Sequence, residues 1–205
     1  MGVIINFFNK DKLTALAHWV IPVLIILGLI VVWEICVNTM SIPAWQLPAP
    51  SSVILELVLS IELLWPHTIV TLLEIVIGFA ISLIIGLALS AAIAYSSLLQ
   101  RSIYPIVISS QTVPIITIAP LLLIWVGYGL APKVIIVAII CFYPIVVNTV
   151  DGLKAIDPDM VNMMRSLGAT KYQVFRKLQI PTALPFIFSG IKISISVSVI
   201  AAVIG

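Results

Sequence analysis

Eight of the 18 Asp, Glu, Lys and Arg residues of this 205-residue chain fall in the 35 positions from Asp151 to Pro185. Their types suit helix ends and docking rather than bond making. Asp157 can cap a helix, Pro158 fits its first position, Asp159 is favoured near the positive helix end, and Gly168 supplies a stop. Together they predict a helix from Pro158 to Leu167. On it Met160, Met163, Met164 and Leu167 recur at i, i+3, i+4 and i+7, making an apolar face rich in methionine, a side chain that moulds itself to irregular pockets. That face requires a partner. Thr170 and Gln173 match a capping box, so a second helix is expected from Thr170 to Pro181 through Val174, Phe175 and Leu178. The two helices make an L-shaped polar knob.

A second set of candidates lies in apolar surroundings. Pro105, Pro114 and Pro120 share one segment with Ser109, Ser110, Gln111, Thr112 and Thr117. Proline removes backbone donors, and polar side chains at membrane depth are tolerated where they face protein or water. Gln111, Thr112, Pro114, Asn148, Ser194 and Ser198 are therefore read as lining a path, although serines and threonines in membrane helices also bond to neighbouring backbone. Glu34 is read as snorkelling to a membrane face and Glu74 as structural or pore-facing. Lys192 is read as reaching the headgroups. Catalytic chemistry has no support: His18 and His67 belong to no His-Glu-x-x-His run. The Gly-x-Ser-x-Gly and Gly-x4-Gly-Lys-Ser/Thr motifs are missing, as are paired intramembrane aspartates. No metal-ligand spacing joins Cys36 and Cys141, which read as buried free thiols.

The elements that must carry these residues follow from composition. With 62% hydrophobic residues, 9% charged residues and a mean hydropathy of +1.28, the chain reads as an all-α, polytopic membrane protein. A formal charge of +2 and the lack of a basic face give no support for nucleic-acid binding. Five spans are expected at 19–39, 68–95, 103–126, 133–150 and 186–205, each near the ~20 residues a bilayer requires. The first is read as an uncleaved span rather than a signal peptide, since no small-residue cleavage site follows it. Pro43, Pro48 and Pro50 mark an exposed connector, and 51–64 reads as an interfacial helix capped by Ser51 or Ser52, flanked by Trp45 and Trp65. Gly78, Ser82, Gly86, Ser90 and Ala94 recur every fourth residue, a packing face expected to meet a helix of the same chain. With a cytoplasmic N-terminus, Lys10, Lys12, Arg101, Lys154, Arg165, Lys171, Arg176 and Lys177 fall inside and Lys133 outside. The positive-inside rule thus places the knob, 151–185, in the cytoplasm.

The knob also carries a family resemblance. Asn162-Met163-Met164, three residues, Gly168, nine residues and Leu178-Gln179-Ile180-Pro181 resemble the EAA loop of permease subunits in binding-protein-dependent ABC importers. Ser166-Leu167-Gly168-Ala169-Thr170 strengthens the match, while Asn162 stands in place of Glu and two methionines in place of two alanines. Leu47-Pro48-Ala49-Pro50, Gln111-Thr112-Val113-Pro114, Trp125-Val126-Gly127-Tyr128-Gly129 and Asp151-Gly152-Leu153 occur in the order of permeases similar to those for nitrate, aliphatic sulfonates, taurine and thiamine-pyrimidine precursors. Within that group the last of these and Ser198-Val199-Ile200-Ala201-Ala202-Val203-Ile204-Gly205 look most like the branch for thiamine pyrimidines or riboflavin-like compounds.

The resemblance implies a type I importer in a bacterial or archaeal cytoplasmic membrane, with a second copy or paralogous permease as partner. Two cytoplasmic ATPase subunits carrying ATP and Mg, and an extracytoplasmic substrate-binding protein, would complete it. Asp159, Met160, Asn162, Met163, Met164, Arg165, Leu167, Gly168 and Ala169 would then form the ATPase-coupling set, and a further helix would follow Gly205. An ion-coupled secondary transporter and a membrane-embedded vitamin-binding subunit are the alternatives from other classes.

Overall fold

The computed structural model describes residues 3–204, with side chains from Val20 onward. The side chains of Lys10, Lys12, His18 and Trp19, and Gly205 at the end of the last predicted span, lie outside the described residues. The helices are α1 (Val3–Thr39), α2 (Pro50–Leu59), α3 (Ile61–Tyr95), α4 (Ser97–Ser110), α5 (Ile115–Val126), α6 (Leu130–Lys154), α7 (Pro158–Ser166), α8 (Lys171–Val174) and α9 (Ile180–Ile204). A π turn, Phe175–Gln179, joins α8 to α9. No strand occurs among the described residues. This is an all-α polytopic membrane protein, as a lipid solvent demands of a chain that must satisfy its own backbone groups. Val20–Thr39, Ile61–Tyr95, Leu130–Lys154 and Lys171–Ile204 are long and apolar enough to cross a membrane, and α4 with α5 makes a fifth if that bent pair is one span.

The chain divides into two compact units, Met1–Pro66 and His67–Gly205. In the first, Glu34 is engaged by its neighbours. Its carboxylate accepts from the Ser51 backbone N–H at 3.0 Å, the Ser51 hydroxyl at 2.8 Å and the Asn38 amide at 2.9 Å. Neither Ser51 nor Ser52 caps α2. Its N-cap is Ala49, which makes no side-chain bond, Pro50 takes the first helical position, and Glu34 supplies the negative charge that a helix N-terminus favours. The predicted helix 51–64 stops at Leu59, and α3 begins at Ile61, seven residues earlier than expected, with Pro66 inside it.

In the second unit α6 lies between α3 and α9. Gly78, Ser82, Gly86 and Ser90 are buried and Ala94 is half-buried. A Cβ added at Gly78 would meet Val137, one at Gly86 would meet Ile145, and the Ser90 hydroxyl donates to the Gly86 and Val146 carbonyls. The small-residue stripe therefore packs on α6 of the same chain, where close approach replaces the hydrophobic drive that lipid does not provide. Glu74, 2% exposed on the same stripe, lies 3.8 Å from Lys133 of α6. Ala201 and Ala202 of α9 join Ile136, Val137 and Cys141 of α6 and Leu122 of α5 in one core cluster. Ile93, Val107, Val146 and Val150 form a second.

Three boundaries depart from the predicted spans. Instead of one kinked helix over 103–126, α4 and α5 are bent by 94° about 111–114. The amides of Gln111, Thr112 and Val113 reach back only three residues, Pro114 has no N–H to offer, and the Ser110 and Thr112 hydroxyls bond to the carbonyls of Val107 and Ser109. The fourth span runs on to Lys154 rather than ending at Val150, so the polar stretch starts four residues later than placed. The helix begun after Thr170 does not end at Pro181. It passes through the π turn, in which the Ile180 N–H bonds to the Phe175 carbonyl, and continues to Ile204 with Pro185 inside. A widened turn ahead of Pro181 relieves the clash of its ring with the carbonyl four residues back.

Candidate functional site

Helix α7, between α6 and α8, is built by local chemistry alone. The Asp157 carboxylate accepts from the Asp159 N–H at 2.9 Å, and Pro158 takes the first helical position. At the other end Gly168 has φ +81°, its N–H bonds to the Arg165 carbonyl, and the Ala169 N–H bonds to the Met164 carbonyl. This is a Schellman stop, and it needs a residue that is at ease in the left-handed region. Directly after it Thr170 and Gln173 form a complete capping box that starts α8. Helix α7 is thus fixed in length at nine residues and capped at both ends.

The coupling set divides into an outer and an inner group. Met160, Met163 and Leu167 are 48%, 58% and 80% exposed. Met164, placed on the same face by periodicity, is half-buried with Ala169, because the stop folds Ala169 back over the last turn. Asp159 is exposed in the first turn and Gly168 at the stop. Asn162 and Arg165 instead line a groove of about 310 Å³, shared with Leu153 and Lys154 of α6, Ala94 of α3 and Gln179.

The path residues are also split. A cavity of about 650 Å³ opens at the α4–α5 bend and takes in Gln111, Pro114 and Asn148. Ser110, Tyr143, Ile139 and Ile193 also line it, and among the described residues no charged side chain does. Thr112, Ser194 and Ser198 are not part of the lining. Thr112 bonds to Ser109, Ser194 donates to the Cys141 carbonyl at 2.9 Å, and Ser198 donates to the Ile195 carbonyl at 2.7 Å. Both serines are buried; Ser194 ties α9 to α6, whereas the Ser198 bond stays within α9. Tyr143 and Ile139 were not among the predicted path residues. Stepping back from Asn148 by four and eight residues reaches Pro144 and Ile140 of the lining, whereas Tyr143 and Ile139, five and nine residues back, fall off that spacing and no periodicity in the sequence singles them out. Among the described residues no group of three or more His, Cys, Asp or Glu side chains is placed to hold a metal ion.

The last third of α3, both halves of the bent pair, α6, α7, α8 and α9 lie within residues 84–205. That stretch matches the family model of the binding-protein-dependent transport system inner membrane component. The chain belongs to this family. It is a permease of a type I ABC importer, and its helix α7 and its cavity both fall inside the matched region. Among its relatives is the formylaminopyrimidine transport permease of Halalkalibacterium halodurans, 36% identical over 185 residues, which are 90% of this chain and 74% of the relative. The riboflavin transport system permease of Chloroflexus aurantiacus is 36% identical over 187 residues, 90% of this chain and 69% of that one. A putative aliphatic sulfonates permease of Bacillus subtilis is 26% identical over 189 residues, 91% and 68% of the two chains.

Proposed function

We propose that this permease forms, with a second copy of itself or a paralogue, the path by which an importer takes up a small, uncharged, polar N-heterocycle of the pyrimidine or riboflavin-like class. The solute would arrive from an extracytoplasmic binding protein. Two cytoplasmic ATPase subunits, which bring the ATP and Mg, would dock on α7 and use it as a lever. The reading places the permease in the cytoplasmic membrane of a bacterium or archaeon with its N-terminus and lever inside, as the distribution of Lys and Arg supports.

The observation that carries the reading is the lever itself. A nine-residue helix, capped at both ends and exposing Met160, Met163 and Leu167, hangs between the two helices α6 and α9 whose side chains line the cavity. A push on it reaches both walls, which suits a change between two states of access. The cargo class follows the lining: Gln111 and Asn148 offer carboxamides that both donate and accept, Tyr143 offers a ring, and no cation awaits a sulfonate or bicarbonate. Glu74 supports an importer over an ion-coupled carrier, because its carboxylate is buried against Lys133 instead of facing the cavity.

The test uses the permease purified with its ATPase partner and reconstituted with the binding protein. Met163→Asp with Leu167→Asp is expected to abolish recovery of the ATPase on affinity capture while the permease still accumulates in the membrane. Unchanged recovery refutes the docking surface. In the unaltered complex a labelled formylaminopyrimidine is expected to be taken up and taurine is not, and the reverse preference refutes the cargo class.

A further inference from the structure

Two cation-on-ring contacts stand on either side of the lever. At its upstream end the Lys154 ammonium, the last residue of α6, lies 4.2 Å from the centroid of the Tyr104 ring on α4. The Tyr104 hydroxyl donates to Asp151 at 2.8 Å. At its downstream end the Lys171 ammonium, the first residue of α8, lies 4.3 Å from the centroid of the Tyr95 ring at the end of α3. The same ammonium donates to the Tyr95 carbonyl at 2.8 Å, and the Tyr95 ring meets Phe175 of the π turn edge-on at 6.1 Å. Neither lysine forms an ion pair; the one salt bridge among the described residues joins Lys133 to Glu74.

The placement is specific. Lys154 and Lys171 are the nearest cations to the lever's two hinges, and each is held to a helix outside the α6–α7–α8 run. A cation over an aromatic face gains energy without a fixed hydrogen-bond direction, so the contact survives rotation. The bond from Lys171 to Tyr95 also satisfies a carbonyl left open at the α3 C-terminus, where positive charge is favoured. Without these anchors a push on α7 would be absorbed at 155–157 and 167–170. With them it is delivered to α3 and α4 as well as to α6 and α9.

We infer that Lys154 with Tyr104 and Lys171 with Tyr95 are positioning residues that brace the lever's hinges against α4 and α3, so that ATPase movement reaches the cavity. This rests on docking of the ATPase at α7, and the experiment separates the two claims. A reporter cysteine replaces Gln111 in the cavity, in a Cys36→Ser, Cys141→Ala background, in the reconstituted complex. Its labelling by a water-soluble maleimide is followed with and without ATP. With both lysines present, ATP is expected to change the labelling rate about fivefold or more, the range typical of coupled sites. Lys154→Ala with Lys171→Ala is expected to abolish that change while ATPase capture stays intact, and Lys154→Arg with Lys171→Arg is expected to restore it, since a guanidinium also stacks on a ring. A full ATP response in the double alanine variant overturns the inference. So does failure of the arginine pair to restore it, or loss of ATPase capture on removing the lysines. Unchanged capture in the Met163→Asp, Leu167→Asp variant would instead remove the docking reading beneath it.

Discussion

Gly28, Gly86 and Gly78 allow the packing of α3 on α6 to be tested with one chemical change, glycine to alanine. A Cβ at Gly78 would lie 2.7 Å from Val137 Cβ and Cγ1 and 2.8 Å from the Val134 carbonyl oxygen. Ordinary contact begins near 3.4 Å, so the helices must part by about 0.7 Å, the difference between 3.4 and 2.7 Å, and backbone on the far side leaves no rotamer to yield. At Gly86 the nearest atom, at 2.9 Å, is the Ile145 Cγ2 methyl, which can turn aside. At Gly28 nothing lies within 4 Å. All three sites are inside helices, so the intrinsic gain of alanine over glycine, about 0.5–1 kcal/mol, is common to them and cancels in the comparison. What remains is overpacking, about 3 kcal/mol at Gly78, near the upper end of the usual range, and about 1 kcal/mol at Gly86. Unfolding in mixed micelles titrated with dodecyl sulfate, followed by circular dichroism, should rank stability as Gly28→Ala above Gly86→Ala above Gly78→Ala. A Gly78→Ala protein as stable as Gly28→Ala would refute the claim that this stripe sets the α3–α6 distance.

Four further outcomes follow from the same structure. Ser194→Ala should cost about 0.5–1.5 kcal/mol by removing a buried hydrogen bond to Cys141, with uptake per folded molecule unchanged, whereas Gln111→Leu should lower uptake at constant helix content; side-by-side uptake and micelle unfolding check both. Gly168→Val should cost about 1–2 kcal/mol in the left-handed region and weaken ATPase capture, while Gly168→Asn should be tolerated, since no atom crowds the site.

Where the structure could be read from the residues, one local rule decided the outcome. Asp157, Pro158, Gly168 and the Thr170–Gln173 pair each act within four residues, so the lever's ends were legible before any fold was known. Tertiary context governed the rest. Proline removes a donor, which argues for a helix stop at Pro181, yet a single π turn lets the helix through. Serine caps helices, which argues for Ser51 at the start of α2, yet Glu34, seventeen residues away in sequence, occupies that role. Ser194 and Asn148 looked equivalent as polar residues in apolar helices. Only the packing of α9 on α6 buries one and leaves the other on the cavity wall.

The π turn has one more effect. An extra residue in a single turn rotates everything beyond it by about 100° relative to an unbroken α-helix. Gly190, Ser194 and Ser198, spaced four apart, form the buried face of α9 that follows this turn. Phe175–Gln179 thus works as a fixed gear between the water-facing end of this helix and its greasy shaft: the phase of the one dictates which wall the other presents to the lipid.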